Sequence, residues 1–86
     1  MTMTPQHKPF ISSDIWEAAF FAYRGLTPNL EIRNNRVFFI FNPSHELYQS
    51  LSDYNSHSIT VDLAKYVDTH KRLKTAMMRF REEAAR

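Results

Sequence analysis

The sequence contains no cysteine and a single glycine among its 86 residues. The lack of cysteine excludes disulfide bonds, thiolate zinc sites and cysteine nucleophiles, and it agrees with a cytoplasmic protein. With only Gly25 available, the chain cannot build the glycine-rich loops that cradle phosphate groups in many nucleotide-binding proteins. These absences remove several common classes of active site.

Long apolar runs are also missing. No segment approaches the roughly 20 consecutive apolar residues of a membrane-spanning helix, so we expect no contact with a membrane. The first residues lack the charged start and apolar stretch of a signal peptide. We therefore predict a flexible N-terminal arm over residues 1–9 and a single α+β domain over residues 10–86, a length that supports a modest core.

Charge is unevenly distributed along the chain. Residues 62–86 carry seven Lys and Arg against four Asp and Glu, a net charge of +3. Residues 1–61 carry four against five, a net charge of −1, so the whole chain is at +2. This asymmetry favours an anionic partner at the C-terminal end.

The first predicted element is a helix over "SSDIWEAAFFAYRG". Asp14 is a good N-cap, and Glu17, three residues later, completes a pair that is typical of a capping box. Gly25 stands where a C-terminal cap belongs. The helix should therefore run between these two signals.

A β-hairpin is predicted over "LEIRNNRVFFIF". Asn34 and Asn35 tolerate positive φ and can form its two-residue turn. The second strand has apolar side chains pointing to both of its faces, since Val37, Phe39 and Phe41 alternate with Phe38 and Ile40. We expect helices to cover this strand on both sides.

Two more helices are predicted. One covers "NPSHELYQSLSDY", with Asn42 as its N-cap and Pro43 in its first turn. The segment "SITV" then forms either a short third strand or an extended linker. The last helix begins near Asp62 and extends for about 22 residues, roughly 33 Å at 1.5 Å per residue. Its apolar seam consists of Leu63, Tyr66, His70, Leu73, Met77, Phe80 and Ala84.

The fold predicted from these elements is helix, β-hairpin, helix, short strand and long C-terminal helix. We expect the seam of the last helix to pack on the first helix and the hairpin. The side chains predicted to be buried are Trp16, Phe20, Val37, Phe39, Phe41, Leu47, Leu51, Leu63, Leu73 and Met77.

Together these pieces resemble an uncharacterised family of small bacterial and phage-associated domains of unknown function. The matching features are "SSDIWEAAFFAYRG", the strand "RVFFIF", Tyr54, the pair Val61-Asp62 and "RLK" at residues 72–74. The resemblance covers residues 10–74. It implies a small α+β domain of mobile-element or phage genomes, and it carries over no activity and no functional residue.

No catalytic or metal-binding pattern is present in the sequence. The four histidines include no pair at i and i+4, so no preformed zinc face is predicted. No nucleophile elbow or other triad signature occurs. His70 lies on the apolar seam, where it serves either as a hydrogen-bonded histidine at the edge of the core or as a pH switch or ligand. We therefore predict a protein without enzymatic activity, cofactor or metal.

Four cations recur every seven residues on the last helix and form a basic stripe along one of its faces. They are Lys65, Arg72, Arg79 and Arg86. Each has an Asp or Glu three or four residues away, such as Asp68 for Arg72 and Glu82 and Glu83 for Arg79. Such pairs are worth about 0.2–0.5 kcal/mol each and offset the local field. We interpret this stripe as a solvated, salt-bridged face.

A second set of cations has fewer acidic neighbours. Lys74 and Arg81 have none at i±3 or i±4, and Lys71 has only Asp68. The turn "RNNR" adds a basic spot at the hairpin tip, although charged tips are also ordinary solubility features. The predicted nucleic-acid contacts are Lys71, Lys74, Arg81, Arg33 and Arg36.

Two functional hypotheses remain open. The first is a nucleic-acid-associated accessory protein of a mobile element or phage, with weak and non-specific binding. The second is a protein–protein interaction adaptor or an inhibitor of a host system, favoured by the aromatic content and the long apolar seam. Either a monomer or a dimer is compatible with the sequence.

Overall fold

The computed structural model describes residues 8–57 and 59–85. Its elements are β1 (Phe10–Ser12), α1 (Ile15–Tyr23), β2 (Asn29–Arg33), β3 (Arg36–Phe41), α2 (His45–Ser56) and α3 (Leu63–Ala84). The predicted order of helix, hairpin, helix and long C-terminal helix is confirmed, and the fold is α+β. The predicted arm lies mostly on residues 1–7, outside the described residues.

The three strands form one antiparallel sheet in the order β1-β3-β2, with β3 at its centre. The predicted turn is confirmed, because Asn34 and Asn35 have φ values of 53° and 65°, as a type I′ hairpin turn requires. The third strand does not lie at "SITV", where the sequence suggested either a strand or a linker. Described residues 59–62 form no strand, so the linker alternative is correct there, and β1 pairs with β3 instead.

The N-terminus of α1 is capped by two side chains. The Asp14 carboxylate accepts hydrogen bonds from the N–H groups of Trp16 at 2.9 Å and Glu17 at 3.4 Å, as predicted. The Glu17 carboxylate does not close a capping box directly. The Ser12 hydroxyl stands between, accepting from the Asp14 N–H at 3.1 Å and donating to Glu17 at 2.7 Å. The end of β1 is thereby fixed to the start of α1.

The C-terminus of α1 ends in a Schellman motif. Gly25 has φ +95°, a conformation that side chains other than glycine rarely adopt. Its N–H donates to the carbonyl of Ala22 at 2.9 Å, and the N–H of Leu26 donates to the carbonyl of Phe21 at 3.0 Å. The single glycine of the chain is thus used to end a helix.

The other two helices also begin at polar caps. Ser44, rather than the predicted Asn42, caps α2, because its hydroxyl accepts from the Leu47 N–H at 3.0 Å. The helix therefore starts two residues later than Pro43 suggested. The last helix begins near Asp62 as expected, and Asp62 caps it by accepting from the Lys65 N–H at 3.1 Å.

One hydrophobic core joins all three helices to one face of the sheet. Its fully buried aromatic side chains come from α1 and β3, and Leu47 of α2 and Leu73 of α3 complete it. The buried members of the cluster are Ala18, Ala19, Phe20, Phe21, Phe39, Phe41, Leu47 and Leu73. Because neither Phe38 nor Ile40 belongs to this cluster, the expectation that helices cover β3 on both faces is wrong.

Two of the side chains predicted to be buried are exposed. Trp16 is 45% exposed because it sits at the rim of the contact between α1 and α3. Leu63 is 70% exposed, since α3 approaches α1 through Tyr66, one turn further along. Leu51 and Met77 are only partly buried. The other six predictions are confirmed.

Tyr66 is the main link between α1 and α3. Its hydroxyl donates to the carbonyl of Trp16 at 2.7 Å. Its ring centroid lies 5.6 Å from that of Trp16, 6.5 Å from Phe20 and 6.1 Å from Tyr23. The hydroxyl of Tyr23 in turn accepts from the Asp62 N–H at 2.9 Å. The start of α3 is therefore held to the whole length of α1.

An ion pair links the end of α1 to α2. The Arg24 guanidinium lies 2.7 Å from the Asp53 carboxylate, which also accepts from the Gln49 side chain at 3.1 Å. The hydrogen bond from Arg24, followed by that from Gln49, holds the pKa of Asp53 below its usual value of 3.8. Arg24 also lies 5.1 Å from the centre of the Phe20 ring, so its side chain bridges core and surface.

We predict that the domain loses stability at alkaline pH through two tyrosines. Burial, more than neighbouring charge, raises the pKa of Tyr54 and Tyr66 above the usual 10.0. The unfolded chain releases these protons first, so above about pH 10 it binds fewer protons than the folded state, and the unfolding free energy falls as pH rises. Urea unfolding across this range measures the slope. The Tyr54→Phe/Tyr66→Phe variant should show a shallower decline, and an unchanged slope would contradict the assignment.

Candidate nucleic-acid interface

Three of the predicted cations lie on one exposed flank of α3. Lys71, Lys74 and Arg81 are all exposed, and they extend over about 15 Å at 1.5 Å per residue. Within the described ranges no carboxylate lies within ion-pairing distance of any of them. We call these three residues the α3 patch. Their charges are available to a ligand.

The C-terminal end of the α3 patch meets the hairpin. Arg81 lines a shallow hollow of about 260 Å³ together with Ile32, Asn35 and the last turn of α3. This proximity follows from the course of α3, which packs on α1 and then passes β2. The structure therefore brings Arg81 to the hairpin tip, although 45 residues separate it from Arg36 in the sequence.

The two hairpin arginines face each other across the turn. Arg33 and Arg36 are direct partners in the register of β2 and β3. Arg33 forms an ion pair with Glu31, and its guanidinium lies 6.0 Å from the centre of the Phe38 ring. Arg36 has no carboxylate partner among the residues that the structure describes. We call Arg33 and Arg36 the tip patch.

The predicted cations form two patches rather than one. Side chains alternate along a strand, and Ile32 and Val37 point towards the helices. Arg33 and Arg36 therefore project from the opposite face of the sheet. Of the five predicted cations, only Arg81 lines the hollow that includes Asn35 of the turn.

Fewer cations of the basic stripe form ion pairs with carboxylates than their spacing predicted. Arg72 forms an ion pair with Asp68 at 2.7 Å, in agreement with the expectation. For Lys65 and Arg79 no carboxylate lies within ion-pairing distance in the described part of the chain, and Arg86 lies outside it. Lys65, Asp68 and Arg72 line a separate hollow beside Ala22 and Tyr23, on another flank from Arg81.

Sequence reasoning missed the open face of the sheet. This face carries seven side chains, which together we call the open face. They are Ile11, Asn29, Glu31, Arg33, Arg36, Phe38 and Ile40. Ile11 is 41% exposed, and Phe38 and Ile40 are partly buried. Two features of the sequence could have predicted this face. Arg36, Phe38 and Ile40 alternate along one strand, and the predicted helices are too few to cover a second face of the sheet.

His70 is held by stacking. Its ring lies 3.7 Å from that of Trp16, with an interplanar angle of 17°. No side-chain hydrogen bond to His70 occurs within residues 8–57 and 59–85, which corrects the expected hydrogen-bonded position. The stack accounts for a histidine at the edge of the core.

The described residues contain no group of three or more His, Asp or Glu that could hold a metal ion. In the same part of the chain, no helix has the length and apolarity needed to cross a membrane.

A family model matches residues 8–79, and its description is "Domain of unknown function (DUF5659)". The chain belongs to the DUF5659 family. No curated protein and no solved structure matches the sequence. The DUF5659 match contains the tip patch, Lys71 and Lys74, and it ends before Arg81. The resemblance to a family of unknown function is thereby confirmed over a range slightly wider than residues 10–74.

Proposed function

We propose that this DUF5659 domain is a non-enzymatic module that binds nucleic acid weakly and without sequence preference. The α3 patch carries the proposal, because it presents three exposed cations with no carboxylate partner in the described residues. Free ammonium and guanidinium groups bind phosphate oxygens and release counterions from the polymer. The tip patch adds two exposed arginines on the opposite face of the sheet and supports the same proposal.

The dimensions of the α3 patch suit a phosphate backbone. Its length of about 15 Å corresponds to about four nucleotides at 3.4 Å of rise per strand. Lys and Arg contacts of this kind fix position along a strand and carry no sequence information. We therefore propose binding to the backbone, in an accessory role within the cytoplasm. The mobile-element or phage setting that the resemblance implies belongs to this proposal.

We predict that affinity falls steeply with salt. If three cations reach phosphates, log affinity against log salt has a slope of about −2.7 for duplex DNA, and the dissociation constant lies at about 10⁻⁴–10⁻⁶ M at physiological salt. The Lys74→Glu/Arg81→Glu variant should lose duplex binding, because it reverses two unpaired charges. Fluorescence anisotropy of a labelled duplex at several salt concentrations measures both quantities.

A control of equal charge change is available on the other flank of the same helix. Lys65→Glu/Arg72→Glu alters net charge by the same amount and leaves all three cations of the α3 patch in place, although only Arg72 of this pair is offset by Asp68. This variant should keep most of the affinity. Equal losses in both variants would indicate a generic response to net charge. No binding by the unmodified protein at low salt would reject the proposal.

A second candidate function is docking of a protein partner. Three large apolar side chains on α1 and α3 are exposed, Trp16 at 45%, Leu63 at 70% and Met78 at 52%. Exposed apolar surface of this kind is common where proteins interact. The adaptor or host-inhibitor hypothesis would gain if Trp16→Ala and Met78→Ala abolished co-purification of a partner while Lys74→Glu/Arg81→Glu did not.

A further inference from the structure

The open face is organised in three rows that run across the sheet. Ile11 pairs with Ile40, and Ile40 pairs with Asn29 on its other side. The next row holds Phe38 and Glu31, and the last row is the tip patch. Alternate residues of a strand lie about 6.8 Å apart. The face therefore changes from apolar to aromatic to cationic over about 14 Å.

The tip patch is unfavourable for the hairpin by itself. Like charges directly opposite each other in an antiparallel pair destabilise it, and here both are arginines. Glu31 relieves this repulsion only in part, because it pairs with Arg33 alone. A ligand anion between the two guanidinium groups would relieve the rest. Two adjacent guanidinium groups are also suited to phosphate, since each offers a planar fork of N–H donors.

Phe38 lies one row from this cationic end. Its ring is on the open face, outside the hydrophobic core cluster, and it is partly exposed. The Arg33 guanidinium lies over the ring, 6.0 Å from its centre, so the aromatic surface and the charge belong to one local group, and a base that stacks on this face of Phe38 displaces the guanidinium towards its own phosphate. An aromatic ring beside arginine is the arrangement by which many proteins stack a base and hold its phosphate.

We infer that the open face binds single-stranded nucleic acid, with a base stacked on Phe38 and the neighbouring phosphate bound by Arg33 and Arg36. This inference rests on the proposed function, although it uses a different surface from the α3 patch. A base inside a duplex cannot offer its face to Phe38, whereas an unpaired base can. The separation of about 6.8 Å between the rows lets long arginine side chains reach the phosphate of a base on Phe38.

Glu31 limits this binding. Its carboxylate lies opposite Phe38 and pairs with Arg33, so it repels a phosphate and competes for one of the two guanidinium groups. Glu31→Gln keeps the shape of the side chain and removes its charge. This variant should therefore bind single strands more tightly than the unmodified protein does. A gain of affinity is the opposite of what disruption of the site would produce.

The test compares single-stranded and duplex DNA. A labelled oligothymidine of about ten nucleotides, within the range of single-strand binding sites, is titrated by fluorescence anisotropy alongside a duplex. Phe38→Ala should weaken single-strand binding by roughly five- to 150-fold, the usual effect of removing one stacked ring. Phe38→Tyr should preserve it, and Glu31→Gln should strengthen it. Duplex binding should change little in Phe38→Ala. Circular dichroism confirms that each variant is folded.

A second readout locates the ligand directly. In methyl NMR spectra, oligothymidine should shift the signals of Ile11 and Ile40, which form the row next to Phe38 on the open face. Duplex DNA should leave them unchanged and should shift Met78 beside the α3 patch. This difference places each ligand without relying on any substitution.

The possible outcomes separate the inference from the proposed function. Duplex binding that Lys74→Glu/Arg81→Glu abolishes, combined with single-strand binding that Phe38→Ala and Glu31→Gln leave unchanged, would overturn the inference and retain the proposed function. Single-strand binding that responds to Phe38 and Glu31 as described, without duplex binding, would support the open face and reject the α3 patch. No binding of either DNA would overturn both.

Discussion

The Phe21→Ala variant is expected to lose a large part of the stability of this domain. Phe21 has no exposed surface. Its ring lies 5.5 Å from Phe10, 5.2 Å from Phe41 and 6.2 Å from Phe20, so β1, α1 and β3 all meet at this side chain. Truncating a buried phenylalanine to alanine costs about 3–5 kcal/mol. A domain of this length has a total stability of about 4–13 kcal/mol at 0.05–0.15 kcal/mol per residue.

Urea unfolding followed by circular dichroism measures this loss. Phe38→Ala is the matched control, because it removes the same atoms from the open face, where the ring lies outside the hydrophobic core formed by the described residues. Its cost should be clearly smaller, since partial exposure reduces the apolar area that folding buries. Equal losses at the two positions would show that the open face is as well covered as the core.

Local signals in the sequence were sufficient for most of the fold. Asp14, Gly25 and Asp62 marked helix ends correctly, because capping depends on hydrogen bonds between near neighbours. The turn at Asn34 and Asn35 was equally local. Ser44 was missed because Asn42 and Pro43 offered a competing start, and no sequence rule ranks two adjacent caps.

Tertiary features were predicted less well. The strand at Phe10–Ser12 has only three residues, too few to show alternation, and it forms because β3 offers it a free edge. Trp16 was expected inside because large aromatic residues are usually buried. Its place at the rim depends on where α3 crosses α1, which helical periodicity does not determine.

In the candidate interface, too, local features could be predicted from the sequence and tertiary features could not. Spacing along α3 identified Lys74 and Arg81 as free of acidic neighbours, and the structure agrees for the described residues. Spacing could not place Arg81 beside Asn35, since that proximity depends on the packing of α3 against the hairpin. It also could not show that Arg33 and Arg36 project on the side of the sheet away from α3.

The second large effect is expected at Tyr66, where truncation should release α3 from α1. Tyr66→Ala removes three aromatic contacts, each worth about 0.5–1.5 kcal/mol beyond its buried area. It also removes the hydrogen bond to the Trp16 carbonyl, worth about 0.5–1.5 kcal/mol. Tyr66→Phe should lose only this hydrogen bond and keep the aromatic contacts. A total of about 2–4 kcal/mol for Tyr66→Ala follows when partial exposure is taken into account.

Trp16 provides a probe for this contact, because it is the only tryptophan of the chain and it stacks on His70 of α3. If α3 separates before the rest unfolds, as weakly held elements can do, the fluorescence change in Tyr66→Ala will occur at a lower urea concentration than the change in circular dichroism. Tyr48→Ala is the control, since Tyr48 is 49% exposed on α2, and it should shift neither transition by more than about 0.5 kcal/mol. Coincident transitions of unchanged midpoint in Tyr66→Ala would mean that the aromatic contacts of Tyr66 do not hold α3 in place.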